Sequence, residues 1–197
     1  TSATTSIVTN GQLVGKVRFP RAVLPGAAVG ASAVHFVLQL GTFAVVLAVA
    51  RHRVDWRFVA LLPIATLALL VVLTALGLLL AAANVYARDT EHLLEFAVQG
   101  WFWLTPIVYT FGRFEGGVVG RSLPAWLPLL NPFTPVVITF QRALYGRATA
   151  DGEALIPDLG PAWYLRSLLA LIAAGLLAVY VALRVFDRAE ADMAEML

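Results

Sequence analysis

The sequence predicts an all-α, polytopic transmembrane bundle with four full spans and re-entrant helices, and three observations carry that prediction. First, 60% of its 197 residues are apolar and only 13% charged, where soluble domains average about 45–50% and about 25%. Second, the apolar residues gather in runs as long as a bilayer is thick. Third, there is no cysteine, so neither a disulfide framework nor a thiolate metal site can hold the fold, and packing must. The 14 basic residues barely exceed the 12 acidic ones and are spread in small groups. Nucleic acid is therefore excluded as a partner.

The elements follow in chain order. Residues 1–21 form an amphipathic start. Ile7, Val14 and Val17 recur at helical spacing, with Leu13 close by, which predicts a helix over Ile7–Val17 capped by Thr5 or Ser6 and ended by Pro20. Such a helix either lies on lipid or serves as a handle for a partner. The polar Thr1–Ser6 stretch lacks the order of a secretory signal.

Crossing the hydrocarbon takes roughly 20 helical residues. Residues 22–50 and 58–87 contain no Asp, Glu, Lys or Arg and make the first two spans, joined by a tight polar hairpin at 51–57. A short link at 88–92 leads to a third span at 93–111, which carries one carboxylate, Glu95, near its start. Residues 163–185 make the fourth span and 186–197 a tail. In lipid every backbone group must bond within its own segment, so each run is helical, and continuous apolar runs exclude a barrel. The five tryptophans, Trp56, Trp101, Trp103, Trp126 and Trp163, fall near span ends or in connections, where amphipathic rings favour the headgroup level.

The connection at 112–162 is rich in Gly and Pro, yet Asn131–Leu144 within it is apolar enough for a short helix. A segment too short to cross, between two spans, reads as re-entrant or interfacial, the alternative being a surface loop. Four spans put both chain ends on one side. Six Lys and Arg then lie on the side of the ends and eight opposite, a weak bias toward ends outside.

Little catalytic chemistry is legible. Gly11-Gln12-Leu13-Val14-Gly15-Lys16 has three residues between its glycines where a phosphate loop has four, and Val17 where that loop needs Ser or Thr for magnesium. His35, His52 and His92 are too scattered for a metal site. His35 and Gln39, one turn apart within the first span, read as a polar pair facing other helices, with a proton relay as the alternative. Glu91 and Glu95, beside His92 and Gln99, are either structural carboxylates at a membrane entry or an acid–base pair.

Several segments together resemble the membrane permeases of type-2 ABC exporters: Lys16-Val17-Arg18-Phe19-Pro20-Arg21 through Leu24-Pro25, Asn84-Val85-Tyr86-Ala87-Arg88-Asp89, Thr105-Pro106-Ile107-Val108-Tyr109, and Asn131-Pro132-Phe133-Thr134 followed by Arg142 and Leu144. The entry motif and the third span look like the branch that exports O-antigen, teichoic acid or galactan. Family members carry six spans, so the resemblance implies that the first two are missing from this sequence and that both ends are cytoplasmic, against the arginine count. It implies no catalytic residue and no cofactor in this chain, with ATP and Mg bound by a separate ATPase subunit that docks on Asn10, Leu13, Lys16 and Arg18. The implied partners are that ATPase, a second copy of the chain, membrane lipid and a lipid-linked polysaccharide. Flat rings suit a sliding glycan, and Phe102 and Tyr109, seven apart, with Trp101 beside them, are the expected path, while Trp103 and Phe111 point elsewhere; interfacial anchoring is the alternative for each ring. Asn131, Pro132, Phe133 and Arg142 are the expected external gate, within a re-entrant segment from Pro124 to Gly146. A drug or lipid exporter of the same fold, a membrane enzyme acting on polyprenyl-linked sugars and a purely structural membrane subunit are the rival functions.

Overall fold

The computed structural model describes residues 1–10, 20–52, 54–107, 130–146 and 159–196, the last eight by backbone alone. Among the described residues the regular structure is entirely helical: α1 (Ser2–Thr9), α2 (Val23–Val49), α3 (Trp56–Val59), α4 (Leu62–Tyr86), α5 (Thr90–Leu104), α6 (Thr134–Leu144) and α7 (Pro161–Met196). Three helices there are long and apolar enough to cross a membrane, Val23–Val49, Trp56–Tyr86 and Pro161–Arg188. They coincide with the expected first, second and fourth spans.

Of the expected third span at 93–111, residues 93–107 are described, and they are helical as far as Leu104, within α5, which starts three residues earlier and stops there. At about 1.5 Å per residue such a helix covers about 22 Å, short of a hydrocarbon layer of about 30 Å. Pro106 explains the stop. It has no N–H to donate and disfavours helical geometry at Thr105, whose own N–H is shared between the carbonyls of Trp101 (3.1 Å) and Phe102 (3.3 Å).

Of the helix expected over Ile7–Val17, residues 7–10 are described; they belong to or end α1, which begins at Ser2, after Thr1 rather than after Thr5 or Ser6. Ser6, offered by the sequence as a cap, lies inside the helix instead, and both it and Thr4 are buried. Their environment explains the difference. Hydroxyls on a helix surrounded by apolar neighbours bond back to its own carbonyls, as Ser6 Oγ does to Ala3 (2.7 Å) and Thr9 Oγ1 to Thr5 (2.9 Å). Ile7 is fully buried, so one face of this helix packs on protein.

The chain divides into two compact units. One comprises Thr1–His52, Leu70–Ala97 and Ala173–Leu197. Its core sets Ile7 of α1 among Leu78, Ala81 and Val85 of α4 and Ala182 and Phe186 of α7. Glycines permit the close approaches here. A Cβ on Gly77 would sit 3.0 Å from that of Ala3, and one on Gly175 would sit 2.8 Å from Val71 Cγ1. α2 ends with Arg51 left-handed (φ 52°), its N–H donating to Ala48 O and that of His52 to Leu47 O. That is the Schellman pattern, in which glycine is the usual left-handed residue.

The other unit comprises Arg53–Leu69 and Val98–Ile172. Phe58 and the start of α4 (Leu61, Leu62, Ala65, Ala68) pack with Val136, Ile138 and Ala143 of α6 and with Tyr164 and Leu168 of α7. The short helix expected within Asn131–Leu144 is therefore present as α6, and over half of it is buried. Surface burial cannot be its whole driving force in lipid, where dispersion contacts between fitted side chains carry much of the association.

Candidate functional site

The expected path and gate residues meet in the second unit, around Asn131. This residue precedes α6, and its Oδ1 accepts from the Phe133 N–H (3.0 Å), a turn that sets the chain up to enter the helix. The same oxygen accepts from Trp101 Nε1 on α5 (3.0 Å), and Asn131 Nδ2 donates to Thr105 Oγ1 (2.8 Å). Thr105 Oγ1 donates in turn to Trp101 O at 2.9 Å. The Trp101 and Phe133 rings meet edge to face at 5.5 Å. Four residues drawn from both sides of a long connection thus satisfy one another, and each good hydrogen bond contributes about 1 kcal/mol.

Further ties hold α6 along its length. Gln141 Nε2 donates to Pro106 O, 2.9 Å away, just beyond the end of α5. Arg142, which the sequence grouped with Asn131 to Phe133, does not join them. Its guanidinium lies 3.5 Å from Asp55 Oδ2 and 4.3 Å from the centre of the Phe58 ring. Pro132 lies in the turn that leads into α6, and Thr134 behind it is fully buried.

Of the expected path rings, Trp101 is half-buried and bonded as above, whereas Phe102 is exposed. Trp103, expected to point elsewhere, packs edge to face on Phe102 at 5.8 Å. The reason is rotational: adjacent helix positions are about 100° apart, near enough for two large rings to meet. Tyr109 lies outside the described residues. So do Leu13, Lys16 and Arg18. Asn10 ends α1, its Nδ2 donating to Ser6 O at 2.7 Å.

Glu91, Glu95 and Gln99 share α5, none of them buried, and His92 Nε2 stands 3.8 Å from Glu91 Oε1. His35 and Gln39, expected to face other helices, are both exposed on α2. The sequence reading missed Asp55, Phe58, Thr105 and Gln141. Asp55 carried a signal, being the one acid in an arginine-rich hairpin, and so did Gln141, a lone amide on an apolar helix. Thr105 and Phe58 carried none, because their partners are remote in the chain.

No protein-family model matches the chain. Curated relatives do. The O-antigen export system permease protein RfbA of Myxococcus xanthus is 30% identical over 183 residues, which is 93% of this chain and 64% of that protein. A protein of the same name from Klebsiella pneumoniae is 22% identical over 153 residues, 78% of this chain and 56% of its own length. The chain thus spans between about half and just under two thirds of the relatives it matches. Together with three apolar helices of crossing length, this kinship makes it a multi-pass protein of the bacterial inner membrane. The chain is a homologue of the O-antigen export permeases, and the resemblance to type-2 ABC exporter permeases drawn from its motifs holds.

Proposed function

We propose that this chain is the transmembrane part of an ATP-driven exporter that moves a lipid-linked polysaccharide of O-antigen type across the inner membrane. The observation that carries the reading is kinship over 93% of the chain with a permease named for that export. In this reading α5 and the residues after Pro106 complete a fourth crossing, α6 is a re-entrant element, and both chain ends are cytoplasmic. A separate subunit binds ATP and Mg and docks on the segment holding Asn10, Leu13, Lys16 and Arg18. A second copy of the chain completes the conduit.

Within it, Trp101, Phe102 and Tyr109 offer flat surfaces on which sugar faces slide without being held by any one hydroxyl. Asn131, Pro132, Phe133 and Arg142 belong to the outer closure. The exposed Phe102 ring and the half-buried Trp101 ring, adjacent on one helix, support that assignment.

The test is surface glycan in cells that depend on this permease. The double variant Leu13→Asp with Lys16→Asp is expected to abolish export and capture of the ATPase subunit while leaving the chain inserted. Trp101→Ala and Phe102→Ala are each expected to reduce export at unchanged abundance. Capture of the ATPase at wild-type level by the first variant rejects the docking segment, and full export by both ring variants rejects the path. Export of a small drug or lipid, with none of glycan, rejects the substrate class.

A further inference from the structure

The two ends of α6 are held in different ways, and the C-terminal end is held by residues to which no role has been given. Arg142 stands in the last turn of α6, and its side chain is only 14% exposed. A guanidinium so withdrawn from water requires a counter-charge or a polarisable face. It has both, Asp55 Oδ2 at 3.5 Å and the Phe58 ring at 4.3 Å. The backbones join at the same place, where the Asp55 N–H donates to Ala143 O at 3.3 Å.

Besides these contacts with α6, both side chains of the receptor are held from elsewhere. Asp55 caps α3, its Oδ1 accepting from the Arg57 N–H at 3.2 Å, which leaves Oδ2 for Arg142. Phe58 is wedged edge to face on the buried Tyr164 of α7 at 5.2 Å. An acid and a ring three residues apart, each fixed by its own neighbour, present a ready seat to an arginine. Ready geometry is what makes such a contact selective, because little freedom is left to lose when the arginine arrives.

We propose that Asp55 and Phe58 are positioning residues for the segment Asn131–Arg142: they fix α6 on α3, and the outer closure of the export path depends on that fixation. The proposal rests on the export reading for its consequence but not for its geometry.

The experiment uses the absence of cysteine from these 197 residues, so that an introduced thiol is unique among them. Thr139→Cys places one on the buried part of α6, and Thr4→Cys places one in the buried part of α1 as a reference. Labelling of the full chain in native membranes with N-ethylmaleimide is then timed. Asp55→Asn keeps the cap acceptor but removes the charge, leaving Arg142 unpaired. It is expected to speed labelling at position 139 on the order of tenfold while position 4 stays protected. Adding Arg142→Met, which keeps the stem on Phe58 without the stranded charge, is expected to restore most of the protection at 139. Phe58→Leu is expected to speed labelling less than Asp55→Asn does.

Unchanged labelling at 139 in Asp55→Asn overturns the proposal, as does equal labelling of the single and double variants or exposure of position 4 along with 139. Export is read in parallel, and Asp55→Asn is expected to lower it several-fold. If labelling behaves as expected and the parent chain exports no glycan, the export reading fails and the seat stands. If the parent exports and Asp55→Asn exports equally well, the proposed consequence fails.

Discussion

α2 and α4 are both uncharged, both apolar and nearly equal in length, at 27 and 25 residues, yet the chain treats them in opposite ways. On α4, Ala65, Ala68, Ala75, Ala81 and Ala82 are buried at helical spacing, with Gly77 close against α1. On α2 only Pro25 and Val29 are buried, and large side chains such as Val34, Leu38 and Val45 are exposed. Small residues alone do not separate them. A Cβ on Gly26, Gly30 or Gly41 of α2 would meet nothing within 4 Å, while one on Gly77 of α4 would meet Ala3, so what differs is whether a neighbour is there to use the small residue. Small side chains let neighbouring backbones approach, and in lipid that approach replaces the solvent-driven gain that sorts residues in water. Hydropathy finds a span; which span is covered depends on the helices that meet it.

The largest expected effect breaks this contrast directly. Ala68→Phe, at a fully buried position of α4, is expected to destabilise the chain by about 3 kcal/mol through overpacking. Ala44→Phe, on the exposed surface of α2, is expected to stay within about 0.5 kcal/mol. Unfolding in detergent reads both, and equal losses would refute the division between covered and uncovered helices.

An intermediate effect sharpens it by asking whether the cover over α4 also depends on polar ties. Asn131→Ala strands the Trp101 and Phe133 N–H groups, and a cost of about 2 kcal/mol is expected. Intrinsic fluorescence gives an independent reading, since Trp101 loses its acceptor. A change in stability with no change in emission would place the effect elsewhere. The smallest effect falls on the uncovered helix, where only the backbone at its end is under strain. Arg51→Gly relaxes the left-handed C-terminal residue of α2 and is expected to raise stability by up to about 1 kcal/mol. A loss there would mean that the Arg51 side chain has a partner of its own.

Much of the fold was legible because the bilayer imposes a length that any apolar run must meet. Residues 22–50, 58–87 and 163–185 needed no more than that ruler, and Asn131–Leu144 was readable as a helix too short to cross. Two expected helices are described only in part, and there the structure adds detail that hydropathy lacks. In the third expected span α5 stops at Leu104, a stop that hydropathy misses because it does not register the N–H that Pro106 lacks. The first helix begins earlier than expected, at Ser2, and hydroxyls read as caps or polar face, such as Ser6 Oγ and Thr9 Oγ1, bond back to its own carbonyls. In the candidate site, the family resemblance flagged Trp101 as path and Asn131, Phe133 and Arg142 as gate, but neither the tie of Trp101 to Asn131 nor the separation of Arg142 from them. Arg142 and Asn131 lie eleven positions apart on either side of one helix, and each is claimed by a different neighbour.

Sequence alone therefore determined that this chain is helical, lies within a membrane and is akin to export permeases, since those properties follow from run length, composition and motif order. Only the tertiary structure decided that α4 is covered while α2 is not, that Trp101 is tied to Asn131, and that Arg142 rests on Asp55 and Phe58. Those outcomes depend on which surfaces meet at van der Waals and hydrogen-bond range, and residues 30 or 87 positions apart carry no local mark of that meeting.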